Sequence, residues 1–442
     1  MSHRSQRAAR HLDAIAAQPA PRASAKAAGG RARAVRSLVA DVDLAAADVA
    51  LVAPTGREEV IFLLHAGAEV EHALMVQYLY AAWSLPALPA DAPEARARAA
   101  ILQVAREEMA HLLALQNVLR FVRGPLNLER EDFPFRSDLY PFPFQLEPVS
   151  ARVLARFVLA EMPESPRCDP RLIERARELA GTEGAVNRVG ELYARVLGVL
   201  RDGRRLPSSE LAAGNSGQAH PRDWRSDIGY GPMFIRQVAS RGQAVALVDD
   251  IARQGEGEGD VRHSHFQVFV ELFERELRTP HRVLALPTNP IILDEGATVP
   301  ETFHPLADPV ARAWANAHDR LYGLLLALLT TATLQPSAVA SDAIALASLS
   351  TMRALSGAAA RLVQLPSGTA GLLAAPPFEM PFTLAVPDAP PERLAWIRQL
   401  AAPVAAQLAS LAGLPGDDGA VAQGLAASLV EVLGLITEGG VQ

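Results

Sequence analysis

The strongest constraint on this chain is a pair of acidic residues that fall where apolar ones belong. In 61-IFLLHAGAEVEHALMVQYLYAAWSL-85, Glu71 lies in a helical stripe with Leu64, Gly67, Leu74, Met75 and Tyr78. In 105-AREEMAHLLALQNVLRFV-122, Glu108 and His111 are three residues apart within another long apolar run. Residues three apart share one face of a helix, so Glu108 and His111 can point at the same atom. An ionised carboxylate is costly to bury without a partner. A metal ion is one such partner, and a Glu on one helix with Glu-x-x-His on the next is half of a dinuclear carboxylate ligand set in a four-helix bundle. Core ion pairing is the other way to satisfy the same residues. A second Glu-x-x-His, Glu69 to His72, with His65 four residues before it, reads as an exposed face or as outer support.

Everything else in the chain suits helices. Half of its 442 residues are apolar, aromatics make up 5%, and strand-like alternation is scarce. The 33 prolines fall mostly between the apolar periodic segments, as helix breakers should. The spacing predicts one helix from about Glu58 to Leu85, stopped by Pro86, and a second from Glu94 to Val122, ended by Gly124-Pro125. A short helix over 151–164 contains Glu161. A third long helix over 183–203 has a core stripe of Val186, Val189, Leu192, Tyr193, Val196 and Leu200, with Glu191 at its edge. A fourth begins near Arg262, with a stripe of Phe266, Phe269, Val270, Phe273 and Leu277, and His265 at its border. Before it, the glycines of 255-GEGEG-259 predict a helix break that leaves Glu256 and Glu258 on irregular backbone. The connection 133-FPFRSDLYPFPFQLEPVS-150 is rich in aromatics that should pack across the bundle.

The expected organisation is a basic, disordered Ala/Arg-rich tail over 1–45, a bundle over 50–285 and a further helical region over 300–442 packed on it. The tail also has the composition of a transit peptide. No hydrophobic secretory run is evident, and the uncharged stretch from Leu321 to Ser341 has too short an apolar part to span a bilayer. A cytoplasmic protein with no membrane association is expected. A net charge of −7 gives no reason to expect nucleic acid. The single cysteine, Cys168, excludes an intramolecular disulfide framework and cysteine-rich metal clusters. No isolated His or Cys stands out as a haem ligand.

Several blocks in this order resemble the ferritin-like family of the iminophenyl-pyruvate dimer synthases, enzymes of the violacein- and rebeccamycin-type bis-indole pathways. They are 69-EVEHALMVQYLYAAWSL-85, 107-EEMAHLLALQNVL-119, 190-GELY-193, 254-QGEG-257 and 264-SHFQVF-269, with looser echoes in 351–366 and 374–379. The resemblance implies an all-α fold: a ferritin-like four-helix bundle with an additional C-terminal helical region. It also implies metal ligands at Glu71, Glu108, His111, Glu191 and His265, completed by Glu256, with Glu258 as the alternative. Where a symmetric pattern would place the fourth helix's own glutamate, this chain has Arg262. Four carboxylates and two imidazoles would leave a site near neutral with two divalent ions. Such ligands favour iron, with manganese as the alternative, over metals that prefer thiolates. Tyr78 would be a catalytic-site tyrosine that orients a ligand, with a plain core role as the other reading. The implied function is a di-iron oxidoreductase acting on a small-molecule, amino-acid-derived secondary metabolite with dioxygen. Generic metal binding in iron handling or oxidative protection is the alternative, and a homo-oligomer is compatible with either. Tyr80, Trp83, the 133–144 segment and the C-terminal helices are the expected pocket walls.

Overall fold

Two long antiparallel helices carry the architecture. The computed structural model describes residues 55–136, 142–182, 188–220, 235–256, 264–292, 301–334, 338–380, 384 and 386–438. Helix α1 (Gly56–Trp83) opens with a capping box, in which Thr55 accepts from the Glu58 backbone and Glu58 reaches back to the Thr55 N–H. Helix α2 (Pro93–Phe121) opens with proline at its first position, where a missing N–H costs nothing. Arg57, at the start of α1, donates to the Val122 carbonyl just past the end of α2 at 3.0 Å, which fixes the antiparallel pairing. From Gly67 onward α1 is buried almost all round, as befits a central helix.

The two remaining positions of the bundle are each filled by two shorter helices. On one side stand α3 (Ala151–Ala160) and α5 (Arg188–Arg201), with α4 (Pro170–Ala180) packed on α3. On the other stand α6 (Arg241–Glu256) and α7 (His265–Arg278). Helices α5 and α6 share an apolar cluster with Val60, Leu64 and Ala68 of α1 and with Leu115, Val118 and Leu119 of α2. Helices α3 and α7 share a second cluster with the opposite halves of α1 and α2. Glu71, Glu108 and His111 fall at the level where one cluster gives way to the other.

Helices α8 (Pro309–Thr333), α9 (Ala338–Leu362), α10 (Pro390–Ala412) and α11 (Asp417–Glu438) pack on one another, and their core is continuous with the second cluster. Trp83 of α1 stacks on Phe378, the Arg130 guanidinium donates to the Phe378 carbonyl at 2.6 Å, and His72 bonds Tyr322 of α8. Asp418 ties three helices by accepting from Trp314 of α8 and from Arg361 of α9. Two-residue strands β1 (Pro290–Ile291) and β2 (His304–Pro305) pair in parallel and are the sole strands among the described residues. Of the described helices, the Ala343–Leu362 part of α9 is long and apolar enough to cross a membrane, and 56% of its window is buried inside the protein.

Several sequence expectations need correction. The fourth helix starts at His265 rather than near Arg262, because Ser264 caps it by accepting from the Gln267 backbone. Glu256 is not on irregular backbone; it is the last residue of α6. Helix α4 was not anticipated at all. The aromatic connection does pack on the bundle as expected: Phe133, Phe142 and Phe144 are buried in the second cluster, and Phe135 and Phe144 are bridged through their backbones and stacked at 4.7 Å. The expected tail over 1–45, Glu258 and Arg262 lie outside the described residues.

Candidate metal centre

The breaks in the two split helix positions open onto the same level of α1 and α2, and among the described residues five carboxylate and imidazole side chains meet there. Helix α1 supplies Glu71 and α2 supplies Glu108 and His111. Glu161, the C-terminal cap of α3, and His265, the first residue of α7, complete the group. All five are buried. Ligand atoms of Glu108, His111 and His265 lie within 4.8 Å of one another.

Glu108 sits between the two imidazoles. Its Oε1 is 2.9 Å from His265 Nδ1 and its Oε2 is 3.0 Å from His111 Nδ1. Glu71 approaches His111 Nδ1 at 3.4 Å, and Glu161 approaches His265 Nδ1 at 3.8 Å. A tyrosine donates to each of these outer carboxylates: Tyr193 of α5 to Glu71 and Tyr78 of α1 to Glu161. Tyr78 is held edge-on to Phe157 and against Phe269, both with ring centroids 4.7 Å away. Both imidazoles turn Nδ1 inward and use Nε2 outward, His111 on Gln254 at 3.0 Å and His265 on Glu107 at 2.9 Å.

The electrostatics follow from burial and crowding. Burial, and then the neighbouring Glu108 charge, push Glu71 up to about 7. Burial opposes charge on His111, but Glu108 and Glu71 outweigh it and raise the group to about 10. Burial likewise opposes charge on His265, and Glu108 with Glu107 overcomes it. Glu108 is lowered: burial raises it, and the His265 charge prevails. Without a cation, protons hold these carboxylates together. His265 Nδ1 is nevertheless buried with no hydrogen bond of acceptable geometry, despite its closeness to Glu108. A buried ring nitrogen left unspent among carboxylates fits a divalent cation, and the oxygen and imidazole donors suit iron or manganese.

A cavity of about 20 Å³ lies beside these groups, walled by Val70, Leu74, Ala160, Val189, Ile251 and Ala252. The expected wall residues are elsewhere: Tyr80 donates to the Pro287 carbonyl and Trp83 stacks on Phe378. Gly255 of α6 presses so close to Glu161 that an added Cβ would lie 3.2 Å from Oε2.

Of the residues expected as ligands, Glu71, Glu108, His111 and His265 converge. Glu191 does not, because on α5 it points to solvent. The buried face of that helix is set by Leu192, Tyr193, Val196 and Leu200, so Tyr193 is the residue that reaches the centre. Glu256 ends the helix next to the site, one position beyond Gly255. The unforeseen carboxylate is Glu161, which continues the stripe Leu154, Phe157, Val158 by one helical step. The same argument that singles out Glu71 could have found it. Glu69 is exposed, and His72 faces away into the α8 side.

A ferritin-like family model matches residues 64–274, the segment that carries every residue of this centre. Residues 64–274 form a ferritin-like domain. The chain is 28% identical over 378 residues to a dichlorochromopyrrolate synthase of Lentzea aerocolonigenes, an alignment covering 73% of this chain and 36% of that protein. It is 30% identical over 361 residues to a 2-imino-3-(indol-3-yl)propanoate dimerase of Chromobacterium violaceum, covering 72% of this chain and 33% of that protein. These relatives agree with the resemblance drawn from the motif blocks, and the chain spans about a third of their length. A solved ferritin-like protein of Caulobacter vibrioides aligns over 72% of this chain and 97% of its own, at 19% identity and a TM-score of 0.47.

Proposed function

We propose that the chain is a di-iron oxidoreductase that uses dioxygen to oxidise a small, amino-acid-derived metabolite. Manganese is the alternative metal. The observation that carries the reading is the placement of Glu108, one oxygen facing each of two inward-turned imidazoles. Each imidazole has a further carboxylate beside it, Glu71 or Glu161. The relatives support the class of substrate, since one is named for acting on an imino acid.

Bound iron would supply the one-electron chemistry that dioxygen needs. The protein's own residues do the rest. Tyr193 and Tyr78 fix the orientation of Glu71 and Glu161 through their phenol O–H groups. In the metal-free protein Glu71, raised to about 7 by burial and the Glu108 charge, releases its proton readily near neutral pH, so an incoming cation displaces it at little cost. Val70, Leu74, Val189 and Ile251 keep bulk water from the carboxylates.

The cavity favours a second reading. About 20 Å³ holds roughly one water-sized molecule, so an organic substrate reaches this centre only if its wall opens. A protein that oxidises ferrous iron, in iron handling or oxidative protection, needs no more space. The test is oxygen uptake by ferrous-loaded protein with and without 2-imino acids, with products followed by mass spectrometry. Substrate-dependent uptake with a new organic product supports the oxidoreductase. Uptake that tracks iron oxidation alone supports the second reading, and no uptake contradicts both.

A further inference from the structure

We infer that the centre offers two unequal cation positions, and that Glu107 and Gln254 make them unequal. This rests on the two-ion reading. The inner groups are closely matched on the two sides. One side has His265, one oxygen of Glu108, and Glu161 with the Tyr78 hydroxyl donating to it. The other has His111, the second oxygen of Glu108, and Glu71 with the Tyr193 hydroxyl donating to it. Among the described residues, each side thus counts one imidazole, half of a shared carboxylate, and one private carboxylate steadied by a phenol.

The match ends one bond further out. His265 donates its Nε2–H to the Glu107 carboxylate at 2.9 Å, whereas His111 donates to the neutral Gln254 amide oxygen at 3.0 Å. A carboxylate behind an imidazole draws its proton outward and makes the opposite nitrogen a stronger donor; an amide does so weakly. It also adds a full negative charge that lies nearer to the cation on that side. Glu107 is 25% exposed, so solvent screens part of this charge without removing the hydrogen bond. The His265 position therefore fills first and holds its ion longer, and the His111 position is the exchangeable one. Glu107 and Gln254 touch no reacting atom; they are positioning residues acting through the two imidazoles.

The test is anaerobic calorimetric titration of metal-stripped protein with ferrous iron, followed by Glu107→Gln and Gln254→Glu. Outer partners of ligating histidines typically change metal affinity by about 10–100-fold, so wild type should load in two steps separated by about tenfold or more. Glu107→Gln should weaken the tight step and bring the two together. Gln254→Glu should tighten the weak step, a gain that a purely structural role for these residues would not produce. Two ions bound with indistinguishable constants, or a separation unmoved by both substitutions, would overturn this inference and leave the two-ion reading intact. No ion bound by wild type would overturn both.

Discussion

Metal-stripped protein should lose stability as the solution turns alkaline, and much of the loss should trace to His111. Its folded pKa, about 10, lies above the ordinary 6.5, because Glu108 and Glu71 outweigh the cost of burying its charge. A group raised on folding contributes stability that is fully present below pH 6.5 and is lost as pH rises through 10. At pH 7 the solution is three units below the folded value, worth about 4 kcal/mol; at pH 9 one unit remains, worth about 1 kcal/mol. The change between the two is roughly 2–3 kcal/mol. His265 is raised too and acts in the same direction. Glu71, raised from 4.5 to about 7, contributes stability that is full below pH 4.5 and is lost as pH rises through 7, so it adds little between pH 7 and pH 9. Glu108 is lowered, so its share is lost only on acidification and is constant over this interval. Urea unfolding followed by helical circular dichroism reads the effect. A chain of 442 residues has an m-value above the roughly 1–3 kcal/mol/M of small proteins, about 4–5 kcal/mol/M, so the midpoint should fall by roughly 0.5 M between pH 7 and pH 9. Metal-loaded protein should show a smaller drop, because the cation has already displaced these protons. His111→Gln should also shrink it. Equal midpoints for stripped wild type at the two pH values would refute the reasoning, as would an undiminished drop in the variant.

Other outcomes follow from the same geometry. Glu191→Gln should leave metal content unchanged, since the side chain faces solvent; a loss of metal would return it to the ligand set. Tyr193→Phe removes the hydroxyl that donates to Glu71 and should weaken metal binding by about 10–100-fold with helical content intact. Unchanged affinity would mean that Tyr193 merely packs. Asp418→Ala takes the shared acceptor from Trp314 and Arg361 and should lower stability by about 1–3 kcal/mol, read as a fall in Tm, without changing metal content. Metal loss in that variant would show that the C-terminal helices hold the centre together.

The helical fold and the heart of the site were legible because they depend on local rules. Glu71 stood out by breaking an apolar stripe, and Glu108 with His111 by a spacing that places both on one face. Pro86 and the Gly124-Pro125 pair mark helix ends that the structure keeps. What escaped was whatever depends on helix rotation or on contact across the bundle. Glu191 and Tyr193 lie two positions apart, about half a turn, and packing of α5 chooses between them. Glu161 was visible as the end of a short helix, but its role requires α3 and α7 to meet. Glu107 and Gln254 carry no signal of their own, since their partners come from other helices.

The central claim is that Glu108 joins two imidazoles around bound metal, and metal content tests it most directly. The measurement is elemental mass spectrometry on protein expressed with added iron, for wild type and His111→Ala, with circular dichroism on both. The account predicts about two equivalents of iron or manganese in the wild type, in line with dinuclear bundles of this ligand type, and a loss of metal in the variant with its helices intact. No bound metal in either protein would contradict it, and the buried Glu and His residues would then be core ion pairs in a helical scaffold.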